Sequence, residues 1–182
     1  MKRTLWFALT IPLLLTGCAA QRDAKEWEEW RDAASAAEHI SFTAEITAEW
    51  QDAALTYTSE VSADREETVV TLTAPDTVAG VVCRSRGSEC TLEYDGAVML
   101  LDALRNKTAA PCAAAPLLLT ALREGRTLWT AHAEDCRTAA LENADGDTVT
   151  VWRGADGCPV YAEIARDGTV ILTLRISRWQ SG

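Results

Sequence analysis

Positive charge is scarce in this 182-residue chain: 17 lysines and arginines stand against 27 acids, for a formal net charge of −10. So acidic a surface repels nucleic-acid phosphates and anionic headgroups, and no nucleic-acid partner is expected. Histidine is scarcer, with only His39 and His132, at a helix end and on a strand, neither inside a motif. No C-x-x-C or H-x-x-x-H spacing occurs, which argues against a tetrahedral metal site. The sequence also lacks a G-x-S-x-G elbow, a phosphate loop and G-x-G-x-x-G. Asn143, Asp145 and Asp147 in "NADGDT" space their oxygens somewhat like a calcium loop, but the downstream glutamate is missing and a hairpin turn explains them better. The carboxylates of "KEWEEWRD" fall on a solvent-facing helix stripe. Acid, base and nucleophile are nowhere supplied together, so the expectation is a protein that is not an enzyme and takes no cofactor or metal. Long apolar runs are missing too: the stretch Leu5 to Leu15 falls short of the roughly 20 residues that span a bilayer.

That short run is informative by its position. Lys2 and Arg3 precede it, and Leu15, Thr16, Gly17 and Cys18 follow. Basic start, apolar core, small residues and cysteine, in that order, resemble the signal peptide and lipobox of bacterial lipoprotein precursors. The resemblance implies removal of residues 1–17 and attachment of a diacylglyceryl group to the Cys18 thiol. Residues 18–25 are then a lipidated terminus and short tether, and residues 26–182 a single domain. Two or three acyl chains hold a protein on a membrane far more firmly than one. Ala19 stands where many Gram-negative lipoproteins carry an inner-membrane retention aspartate. The expected location is the cell membrane or outer membrane, facing away from the cytoplasm.

With Cys18 modified, Cys83, Cys90, Cys112, Cys136 and Cys158 remain. Exported proteins meet oxidising compartments, so pairing is the first expectation. In "VVCRSRGSECTLEY", a two-residue turn at Arg86 and Gly87 sets Arg84 opposite Glu89 and Cys83 opposite Cys90, within disulfide range. Cys136 and Cys158 fall at the same end of a neighbouring hairpin, with Cys112–Cys136 as the competing pair. One thiol is left over.

The rest of the chain is organised by hydrophobic period. "AQRDAKEWEEWRDAASAAEH" lacks Gly and Pro and places Trp27, Trp30, Ala34 and Ala37 on one helical face. From Ile40 the period becomes two, through Phe42, Ala44, Ile46, Ala48 and Trp50, then through Leu55, Tyr57, Ser59 and Val61. Further strands are expected at Thr68 to Thr73, Gly80 to Arg84, Cys90 to Tyr94 and Val98 to Asp102. A short apolar helix follows, with Pro116 in its first turn and Gly125 at its end. "TLWTAHA", "TAALEN", "DTVTVWRG", "CPVYAEIA" and "TVILTLRISRW" close the chain as a meander with Asp-Gly turns.

Helix, strands, proline-led apolar helix and final meander, with a D-G-x-P turn at Asp156, Gly157, Cys158 and Pro159, resemble the LolA/LolB lipoprotein-localisation superfamily. They also resemble the lipoproteins of spore-forming Gram-positive bacteria that share its fold. The resemblance implies an α+β, mainly antiparallel fold: a curved, unclosed β-barrel of about eleven strands covered by an N-terminal and a short apolar helix. It further implies a concavity that accepts acyl chains. Trp50, Tyr57, Leu72, Leu117, Leu118 and Trp129 are the residues expected to line it, unless they simply pack together as core. Two functions follow: a membrane-anchored protein that binds a lipid or other amphiphile, or a non-catalytic module that docks an envelope protein with its core filled.

Overall fold

In a computed structural model, residues 22–50, 53–87, 89–101, 110–133 and 135–182 are described, without the side chains of Trp50 and Leu101. Cys18, with the expected signal peptide and most of the expected tether, lies outside the described residues. Helix α1 occupies residues 22–36. Six strands follow: β1 Ile40–Trp50, β2 Ala53–Ala63, β3 Thr68–Ala74, β4 Val82–Arg86, β5 Glu89–Tyr94 and β6 Ala97–Leu101. Helix α2, Pro111–Glu124, precedes the final meander of β7 Arg126–Ala133, β8 Cys136–Glu142, β9 Thr148–Arg153, β10 Pro159–Arg166 and β11 Thr169–Ser181.

Among the described residues the strands form one antiparallel sheet in the order β6-β5-β4-β3-β2-β1-β11-β10-β9-β8-β7. The first and last strands, β1 and β11, pair at its centre, so β6 and β7 are left as unjoined edges. This is the mainly β, unclosed architecture that the family resemblance implies. Directly paired residues share a face, so Ile46 lies over Tyr57 on one side and Leu174 on the other. That inner face, carrying Ala44, Ile46, Val70, Ile164, Leu172 and Leu174, is the buried core.

Helix α2 lies across β1, β3 and β8 to β11, with Leu118, Leu119 and Leu122 completely buried. It starts five residues before the expected turn: Pro111, not Pro116, occupies the first helical position, and Pro116 lies inside the helix. Either proline suits a first turn, but Cys112 to Ala115 are buried and hold the earlier turn against the core. At the other end Gly125 alone joins α2 to β7. Its N–H donates to the Ala121 carbonyl at 2.9 Å, and a Cβ built there would stand 2.4 Å from that oxygen.

Helix α1 closes one end of the sheet. Ser35 donates to the Leu122 carbonyl at 3.1 Å, and Arg31 to the Gly125 carbonyl at 2.9 Å. Glu28 accepts from Thr127 at 2.7 Å, and Glu26 pairs with Arg137 at 2.8 Å. Arg153 is buried beneath it, its guanidinium carbon 4.2 Å from the centroid of Trp30 and 5.7 Å from that of Trp27. Its Nε donates to the Gly157 carbonyl, while its Nη1 and the Trp27 Nε1 have no hydrogen-bond partner. The indole faces supply the attraction that a carboxylate would otherwise give. Burial pulls the Arg153 pKa down to about 10, so the side chain remains a cation at neutral pH.

Candidate functional site

The inner face is not covered evenly. From β8 through β11 and β1, its apolar residues disappear beneath the helices. On the other arm the same face continues along Val61, Val70, Cys83, Leu92 and Met99, each opposite the next. Exposure rises along that row: Val61, Val70 and Cys83 are buried, Leu92 is partly buried, and Met99 is 54% exposed. Tyr94, two residues beyond Leu92 and therefore on the same face, is 46% exposed. Leu55, opposite the buried Ala48, is 54% exposed. Apolar side chains at core register thus meet solvent along β2, β5 and β6, and this open arm is the candidate site.

The five expected cavity residues whose side chains are described do not converge there. Leu72 and Leu118 are buried in the core, and Tyr57 and Leu117 pack against it from the margin. The side chain of Trp50 lies outside the described residues. Trp129 is on the opposite face. A bulge between Thr127 and Trp129 leaves Thr127 opposite Leu141, on the inner face, and Trp129 opposite Ala140, on the outer one. An unbroken alternation would have put Thr127 and Trp129 on the same side.

The cysteines also differ from expectation. The β4–β5 turn pairs Arg86 with Glu89, so Cys83 lies opposite Leu92 and Cys90 opposite Ser85. The turn centres one residue later than expected, because Gly87, at φ 55°, takes its first central position and not its second. The slip keeps both cysteines on the inner face but makes them diagonal neighbours. Cys136 and Cys158 are not adjacent: Arg137 and Pro159 both pair with Arg153, so β9 runs between them. All five described cysteines are free thiols. Cys112, buried in the first turn of α2, is in hydrogen-bonding contact with both Cys83 and Cys90. A sequence reading could not find this meeting, because it joins a helix to a hairpin.

Charged groups are largely engaged in structural contacts. Arg166 grips the buried Asp147 with two hydrogen bonds of 2.8 and 2.7 Å, and that contact raises the pKa of the arginine. Asn143 accepts the backbone N–H groups of Asp145 and Asp147, so "NADGDT" is a hairpin turn with its last carboxylate held by an arginine. His132 faces Asp23 at 3.9 Å, and His39 is exposed.

No protein-family model matches the sequence, and no curated protein matches it. Solved structures similar to it include a LolA superfamily protein from Nitrosomonas europaea, 13% identical, covering 88% of this chain and 92% of that one, with a TM-score of 0.47. The Mycobacterium tuberculosis lipoprotein LppX is 15% identical over 88% of this chain and 94% of its own, with a TM-score of 0.45. A complex of the CwlD amidase with the GerS lipoprotein from Clostridioides difficile matches at 11% identity, 86% and 94% coverage and a TM-score of 0.45.

Proposed function

We propose that this chain is a lipoprotein of the cell envelope, tethered by lipid on Cys18, that binds a lipid or other amphiphile against the open arm of its inner face. The reading is supported by Leu55, Tyr94 and Met99, which sit at core register yet are about half exposed. An acyl chain laid along them would remove apolar surface from water at about 25 cal/mol per Å². No reacting group is needed for this, and the role is that of a binding protein. Native mass spectrometry after gentle extraction tests it: an acyl ligand retained by the parent and lost from Met99→Glu is the expected result. A ligand-free parent that co-purifies in fixed ratio with another chain would sink it. For the tether, Cys18→Ser should move the protein from the membrane pellet to the soluble fraction; a variant that stays in the pellet removes the lipobox reading.

The second reading is a docking module, favoured by the other face of the same edge strand. Val98 and Leu100 of β6 are exposed there, opposite Glu93 and Thr91. An edge strand with apolar side chains and a free hydrogen-bonding margin is a site for an added strand.

A further inference from the structure

Three thiols meet beneath the first turn of α2. Cys83 and Cys90 project from adjacent strands onto the inner face, Cys112 descends from the helix, and all three are buried. Diagonal residues on neighbouring strands have α-carbons about 7 to 8 Å apart, outside the roughly 4.4 to 6.8 Å that a disulfide spans. Cys112 contacts both thiols, so it is the member with two available partners.

We propose that Cys112 forms an intramolecular disulfide with either Cys83 or Cys90, and that the bond moves between these two partners by thiol–disulfide exchange. It bolts the start of α2 to the β4–β5 hairpin. Formation takes two protons and two electrons from the thiol pair. The acceptor is a disulfide-bearing oxidant of the extracytoplasmic space, which becomes a dithiol by way of a mixed disulfide. Oxidation belongs to folding, when the thiols are still accessible. Exchange needs no further oxidant. The Cys90 thiolate attacks the Cys112 sulfur, the Cys83–Cys112 bond breaks, and Cys83 leaves as the thiolate and takes up a proton. Such exchange is slow in the native state, where the neighbouring Cys83 thiol and burial push the Cys112 pKa up to about 12, and the Cys112 thiol and burial raise that of Cys90 as well.

The sequence makes the test direct. Cleavage after Arg84, Arg86, Arg105, Lys107 and Arg123 places the three cysteines in three separate peptides. Full-length protein is expressed with its own leader, its thiols are alkylated before lysis, and its unreduced peptides are mapped by mass spectrometry. The expected result is the Cys112 peptide joined to that of Cys83 or Cys90, with the third cysteine alkylated. Cys83→Ala should retain Cys90–Cys112, Cys90→Ala should retain Cys83–Cys112, and Cys112→Ala should have no bond among these positions. A Cys83–Cys90 bond in the parent protein, or three alkylated cysteines there, overturns the proposal. Because the parent map decides the matter, a variant that fails to fold does not weaken the test.

Discussion

The two arms of this sheet carry the same alternating pattern and end in opposite situations. On the arm from β8 to β11, inner residues such as Leu141, Val151, Ile164 and Leu174 are sealed beneath α2. On the arm from β2 to β6, the same alternation delivers Leu55, Tyr94 and Met99 to solvent. Alternation fixes which side of a strand is apolar; it does not fix whether anything covers that side. Coverage depends on where two helices come to rest: α2 lies across β1, β3 and β8 to β11. Helix α1 is fastened to β7, β8 and β9 through Glu28–Thr127, Glu26–Arg137 and the Arg153–tryptophan stack.

The contrast is measurable as stability. Leu174→Ala, in the sealed arm, should lower the unfolding free energy by about 4 kcal/mol in urea titrations, because a buried leucine leaves a cavity that packed neighbours cannot fill. Arg166→Ala strands the Asp147 carboxylate in the same arm and should cost about 3 kcal/mol in the same assay. Met99→Ala, in the open arm, should cost less than about 1 kcal/mol. A Met99 variant as damaging as the Leu174 one would erase the distinction between the arms.

The smallest effect concerns acid. Asp64, in the β2–β3 turn, accepts the backbone N–H groups of Glu66 and Glu67 at 2.7 and 2.8 Å, bonds that hold its pKa below the usual carboxylate value. A pKa depressed in the folded state contributes stability above the unfolded value of about 4, and that contribution fades as pH falls through the folded pKa. Asp64→Ala should therefore flatten the fall in stability below about pH 4 and leave the slope at neutral pH unchanged. An unchanged acid slope would show that the turn does not draw on the carboxylate.

Most of the architecture was legible because it rests on local periodicity. Both helices and every strand follow from apolar spacing and turn signals. Four features were not legible. The bulge that turns Trp129 outward adds one residue to β7 without any Gly or Pro to mark it. The β4–β5 register depends on which turn position Gly87 takes, and glycine suits both. The uncovered arm and the meeting of Cys112 with Cys83 and Cys90 depend on long-range packing of α2, about which neither sequence stretch carries information.

Gly125 has a mechanical consequence. Helix α2 is joined to β7 by that one residue, pressed against the Ala121 carbonyl, whereas residues 102–110 link its other end to β6. The helix is a strap stitched at its C-terminal end to β7, and a disulfide from Cys112 would buckle its other end to the β4–β5 hairpin.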